Sequence, residues 1–208
     1  MKEERSSFKQ ADVEVKELNN FVSYVDKQAE QRFVTALELL LPEAGFIAEE
    51  GTSSKKGERY HWIIDPLDGT TNYVHGIPFY CTSVALMDGD ELVMGVIYEP
   101  NTQECFHALT GQGAFLNGKP INVTDNSVLS DCLLATGFPY DDFEREDAFF
   151  KVLKTLTQQS RGLRRLGSAA LDLAYVACGR FDGFFEYGLN PWDVAAGALI
   201  VQEAEGKV

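Results

Sequence analysis

Trp62-Ile63-Ile64-Asp65-Pro66-Leu67-Asp68-Gly69-Thr70-Thr71-Asn72 is the most informative stretch of the chain. An apolar strand delivers Asp65 to its end, and the turn through Pro66 brings Asp68 back to the same side, so two carboxylates face one point. Hard divalent ions want such oxygen ligands; magnesium takes them at about 2.0–2.1 Å, keeps several waters and accepts phosphate oxygens. Gly69 lets the backbone approach closely. If Gly69-Thr70-Thr71 opens a helix or tight turn, its amides and two hydroxyls make a phosphate cradle. A surface turn followed by a helix cap uses the same residue types and is the plainer reading of an isolated Asp-x-x-Asp-Gly. The full string is far more specific than that fragment.

Working outward, Ala29, Phe33, Leu37 and Leu40 recur at helical spacing between Asp26 and Leu41, and Pro42 stops the run. An apolar piece, Gly45 to Ala48, ends in Glu49 and Glu50. A polar loop, Gly51 to Arg59, then leads into the strand Tyr60 to Ile64, which ends in Asp65. Downstream, Cys81 to Met87, Leu92 to Glu99, Glu104 to Leu109, Ala114 to Leu116 and Pro120 to Thr124 read as strands. The turn residues between them predict an antiparallel meander, with Asn117-Gly118 as the best hairpin signal. Phe149, Val152, Leu153 and Leu156 predict a second helix, Ser168 to Cys178 a third, Arg180 to Glu186 a strand, and Asn190 to about Glu205 a last helix with Pro191 in its first turn. The expected fold is α+β, with helices before, between and after a mainly antiparallel sheet.

Composition narrows the function classes. With 208 residues, 45% of them hydrophobic, the chain can bury one large core or two fused ones. A net charge of -14 argues against nucleic acid or an anionic membrane as the main partner. A phosphate ligand would therefore need a cation to offset that field. Met1 to Gln10 is polar and charged, without a targeting segment, and no apolar run approaches the ~20 residues that span a bilayer. Four scattered cysteines, Cys81, Cys105, Cys132 and Cys178, suit reduced thiols in a cytoplasmic protein. Neither a nucleophile elbow nor a P-loop is present: Gly167-Ser168-Ala169-Ala170 lacks the second glycine, and Lys55-Lys56 precede Gly57.

Asp65-Pro66-Leu67-Asp68-Gly69-Thr70-Thr71-Asn72 resembles the signature of the inositol monophosphatase family. Trp192-Asp193-Val194-Ala195-Ala196-Gly197, with Glu203-Ala204 after it, resembles the family's C-terminal signature, and Ala48-Glu49-Glu50-Gly51 its glutamate motif. The similarity runs from about Asn20 to Val208. It implies a layered αβαβα sandwich of the sugar-phosphatase type, divided into an N-terminal half, 1–125, and a C-terminal half, 126–208. It also implies magnesium-dependent hydrolysis of a small phosphorylated polyol, inositol monophosphate in the first place, by a cytoplasmic enzyme. By this resemblance Glu49, Asp65 and the Leu67 carbonyl hold one magnesium; Asp65, Asp68 and Asp193 hold a second; Glu49 helps with a weaker third. Thr70, bonded to Asp26, helps activate the attacking water. Gly69, Thr70 and Thr71 hold the phosphate, while Gly167, Ser168, Ala169 and Glu186 contact the polyol.

Duller readings stand beside these roles. Asp193 is favoured in the first turn of a helix whether or not it binds metal. Asp26 suits a helix start, and Arg164 and Arg165 suit a solvated surface. The chain departs from the family pattern at both ends. The usual first helix is missing or shortened before Glu14, and the chain stops at Val208 where further strands and helices are expected, so the homodimer implied for a full-length chain depends on more than these residues. Alternatives within the superfamily are 3′-phosphoadenosine nucleotide, fructose bisphosphate and histidinol phosphate phosphatases. A different class is a phosphatase-like partner that binds RNA polymerase or another protein.

Overall fold

The computed structural model describes residues 13–17, 20–138 and 146–208; the expectations about Met1 to Gln10, and about a first helix in that region, lie outside them. Two strands come first, β1 (Val13–Glu17) and β2 (Asn20–Ser23), an antiparallel pair for which the sequence carried no signal. Helix α1 (Tyr24–Leu40) follows directly. It starts two residues before the expected point, so Asp26 lies inside its first turn rather than ahead of it.

The main sheet has seven strands in the order β3-β4-β5-β6-β7-β8-β9. These are β3 (Gly45–Ala48), β4 (Tyr60–Asp68), β5 (Cys81–Asp88), β6 (Glu91–Glu99), β7 (Glu104–Leu109), β8 (Ala114–Leu116) and β9 (Lys119–Ile121). Only β3 and β4 run parallel; every later neighbour is antiparallel, which is the predicted meander. Alternation along β4 assigns its two faces. Trp62 and Ile64 pack with Leu37 of α1, Phe46 and Val84. Ile63 points the other way, into the larger core.

That larger core is lined by α4 (Ala169–Ala177) and α5 (Pro191–Glu203), whose small residues Ala170, Ala174, Ala177 and Ala196 are fully buried and let the helices lie close to the strands. On their far side is a second sheet of three parallel strands, β11-β10-β12, comprising β10 (Leu133–Thr136), β11 (Gly162–Arg164) and β12 (Gly183–Phe185). Helix α3 (Glu146–Gln159) covers its outer face, where the fully buried Phe149 ring lies 5.8 Å from that of Phe185. Helix, sheet, helix pair, sheet and helix make the αβαβα sandwich.

Three local departures have physical causes. β4 does not end at Ile64 but continues through Pro66, with a register irregularity between Asp65 and Asp68. Proline lacks the ladder N–H, and side chains take over there: Asp65 Oδ1 accepts the Leu67 amide at 2.9 Å, and the Thr82 hydroxyl donates to the Pro66 carbonyl at 3.0 Å. The strand expected over Arg180 to Glu186 shrinks to Gly183–Phe185, because the amides of Arg180 and Phe181 still go back to the Tyr175 carbonyl at the end of the preceding helix. β10 and β11 are too short to show a periodicity.

Candidate active site

The C-terminal end of β4 brings the buried Asp65 and the half-buried Asp68 beside residues from the other half of the chain. Asp65 is 2% exposed. Burial pushes its carboxyl well above the usual aspartate range, and the charges of Glu49, Asp68 and Asp193 push it further, with a hydrogen bond to Glu49 acting the same way. Asp68 is raised to about 6 by burial, against the lowering pull of the Ser168 hydroxyl. Asp193, in the first turn of α5, is also raised by burial and accepts the Asn190 amide at 2.6 Å. Glu49, Asp68 and Asp193 thus all act on Asp65, though the four carboxylates come from three separate segments.

How each is held follows from its neighbours. Glu49 extends β3: its amide donates to the Ile64 carbonyl at 3.2 Å, which sets it beside Asp65. Asp68 is held by the start of α4, where Oδ2 accepts the Ser168 hydroxyl at 2.6 Å and the Ala170 amide at 2.7 Å. A helix N-terminus is where unpaired amides favour an acid. Asp193 comes in with α5, whose entry is tied to β5 by the Ser83 hydroxyl on the Trp192 carbonyl at 3.3 Å.

Gly69, at a positive φ of 95°, turns the chain into α2 (Thr70–His75). The Thr70 hydroxyl lies 3.0 Å from Asp26 Oδ1 and 3.0 Å from the Leu67 carbonyl, so its one proton has two acceptors. Donating to either, it presents lone pairs elsewhere. Asn72, 6% exposed, donates through Nδ2 to the Phe79 and Leu166 carbonyls, each at 2.7 Å, and so ties the motif to the loop that carries Gly167.

On the side expected to receive the polyol, Ser168 is 2% exposed and its hydroxyl turns inward, donating to Asp68 and accepting the Leu171 amide, rather than outward. Ala169 is buried and Gly167 half-buried. Glu186, after β12, is raised to about 7 by burial, with the Asp68 charge adding and Arg165 opposing. Its carboxyl lies flat on Gly137, where a Cβ would stand 2.0 Å from it.

Of the buried acids not singled out from sequence, two lie on the helices that flank the site. Glu30, fully buried on α1, stands one turn beyond Asp26 on the face that carries the apolar positions, and an acid there was the available signal. Asp172, 1% exposed in α4, is raised to about 8 by burial and by the charges of Asp68 and Glu186; its Oδ1 finds no partner among the described residues. It lay inside an apolar run with nothing in its spacing to single it out.

The donor set fits a hard divalent cation. Glu49, Asp65, Asp68 and Asp193 are carboxylates, Leu67 lies between Asp65 and Asp68 in the chain, and the clustering of like charges makes a positive charge the natural complement. Among the described residues no group of three or more His, Cys, Asp or Glu side chains is drawn into a closed metal shell. No described helix is long and apolar enough to cross a membrane.

Residues 1–208 match the model of the inositol monophosphatase family. A Nus factor SuhB of Pseudomonas aeruginosa is 45% identical over 201 residues, covering 94% of this chain and 74% of that protein. The solved inositol monophosphatase of Anabaena (Nostoc) sp. PCC 7120 superposes with a TM-score of 0.83 at 45% identity, covering 88% of this chain and 73% of that one. A further solved structure, an IMPase/NADP phosphatase complexed with Mg2+ and phosphate, is 28% identical with a TM-score of 0.80, covering 93% of this chain and 72% of that one.

Proposed function

This chain belongs to the inositol monophosphatase family and is a phosphatase of that superfamily, and from that premise we propose that it hydrolyses inositol monophosphate to inositol and phosphate with magnesium as cofactor. The observation that carries the reading is that Glu49, Asp68 and Asp193, each half-buried, all act on the buried Asp65. The family relationship and the magnesium and phosphate of the IMPase/NADP phosphatase support it.

In this reading Glu49, Asp65 and the Leu67 carbonyl hold one ion, Asp65, Asp68 and Asp193 a second, and Glu49 helps with a third. Magnesium bound there supplies positive charge that offsets the phosphate and makes a water easier to deprotonate. Asp26 holds the Thr70 hydroxyl so that its lone pairs orient the attacking water. The amides of Gly69, Thr70 and Thr71 bind the phosphate oxygens. Glu186 and the backbone at Gly167 and Ala169 receive the polyol hydroxyls, while Ser168 acts on Asp68. Most ligands come from the half 1–125, and Asp193 and the polyol contacts come from 126–208, so the site is complete only where the halves meet. We place the enzyme in the cytoplasm, with a homodimer as the state of the full-length protein, which light scattering tests.

Phosphate release from inositol monophosphate, with magnesium and after chelation, tests the central claim. A strong preference for 3′-phosphoadenosine nucleotides, fructose bisphosphate, histidinol phosphate or NADP in the same assay would replace inositol monophosphate as the substrate. A second, protein-binding role draws its support from the name of the Pseudomonas relative. An Asp65→Asn variant that loses hydrolysis but keeps that partner would separate the two roles.

A further inference from the structure

Glu30 is a charged side chain with no exposure, in the middle of a helix whose buried face is otherwise mostly apolar. A buried carboxylate is costly unless its oxygens are satisfied. Both are: Oε2 accepts the amide of Glu50 at 2.7 Å, and Oε1 accepts the amide of Thr52 at 2.7 Å. Between those amides Gly51 takes a positive φ of 62°, so the chain curls and two N–H groups converge on the anion. The loop after β3 is thus built around a carboxylate supplied by α1.

Glu49 immediately precedes this curl. On its N-terminal side its own amide is tied to the Ile64 carbonyl of β4. On its C-terminal side the next amide, that of Glu50, goes to Glu30. Two anchors therefore bracket the backbone of Glu49, one main-chain and one a side chain 20 residues away. One helical turn earlier on the same face, Asp26 holds the Thr70 hydroxyl. A single edge of α1 thus grips both the loop that carries Glu49 and the threonine after the Asp65–Asp68 motif.

We infer that Glu30 is a positioning residue for magnesium, orienting Glu49 toward Asp65 by pinning the amides of Glu50 and Thr52. The inference rests on the reading of Glu49 and Asp65 as metal ligands. A glutamine keeps the shape of the side chain but offers one acceptor oxygen where the loop uses two, so one amide is released and the curl loosens. Partners that orient a ligand typically cost about 10–100-fold in metal affinity when changed.

The test is calorimetric titration of magnesium into the whole chain and into Glu30→Gln, with no substrate present, together with thermal unfolding without metal. The expected result is a magnesium Kd weakened by roughly tenfold or more in Glu30→Gln, with kcat recovering as magnesium is raised and the KM for inositol monophosphate at saturating magnesium nearly unchanged. An unchanged magnesium Kd in a variant that merely melts earlier would overturn the inference and leave Glu30 as a structural brace. Absence of magnesium binding by the unaltered chain would instead strike the metal reading itself.

Discussion

Asp65 concentrates the chemistry at the scale of single residues, since three other acids act on it and burial disfavours its charge. Asp65→Asn should lower turnover by about 10²–10³-fold, the scale of losing one electrostatic group at a reacting centre. Unfolding of the metal-free variant should come no earlier than that of the parent, because the folded state already favours the uncharged form. Calorimetry and phosphate release check both halves, and retained turnover would remove Asp65 from the bridging position. Gly137 is a subtler case, because nothing about a lone glycine marks it in a sequence. A methyl group there would stand 2.0 Å from the Glu186 carboxyl. Gly137→Ala should therefore push Glu186 out of place and raise KM for the polyol by roughly tenfold while magnesium affinity stays put. An unaltered KM would separate Glu186 from substrate recognition.

Elements explain why the site survives being assembled from distant pieces. The end of β4 offers Asp68 to the first turn of α4, and both Ser168 and the Ala170 amide close on it. Strand and helix are thereby locked together at the point where chemistry is needed. Away from the site, Arg180 grips Glu104 of β7 through two hydrogen bonds while its guanidinium lies 4.5 Å from the Tyr175 ring centre on α4, joining sheet to helix. The Arg180 hydrogen bonds hold the Glu104 carboxyl below its ordinary value of 4.5. A carboxylate depressed in the folded state stabilises the fold above its unfolded pKa, and that contribution fades as pH falls below about 4.5. The pair is partly exposed, so about 1 kcal/mol or less is at stake. Glu104→Gln should accordingly melt slightly earlier at neutral pH, and the difference from the parent should vanish in acid; a constant gap down to pH 3 would rule out the ion pair as its source.

Across the whole molecule, the acids of the site create a stability profile opposite in sign. Asp68 at about 6, Glu186 at about 7 and Asp172 at about 8 are raised, each chiefly by burial. Groups raised in this way favour the fold most below their unfolded values near 4, and the benefit is lost as pH climbs through the folded ones. The metal-free chain should therefore melt progressively earlier between about pH 4 and 8. Magnesium should reverse that trend, since its ligands must be deprotonated: affinity should rise with pH through about 6, and an ion at 100 times its Kd should add about 2.7 kcal/mol. Scanning calorimetry at several pH values, with and without magnesium, would show the two curves diverging; parallel curves would mean that the acids do not share a cation. Much of this molecule was legible before folding. The helical spacing from Ala29 to Leu40 and the turn residues of the meander foretold the helix and the antiparallel sheet, because periodicity and turn chemistry are local properties, while the strings at 48–51, 65–72 and 192–197 pointed to the family by resemblance. Other features became visible only in three dimensions: Ser168 turned inward onto Asp68, Glu30 beneath the loop of Glu49, Asn72 tying the motif to Leu166, and Gly137 making room for Glu186. Each joins residues far apart in the chain, and it is packing and the satisfaction of buried polar groups, rather than any local preference, that brings them together.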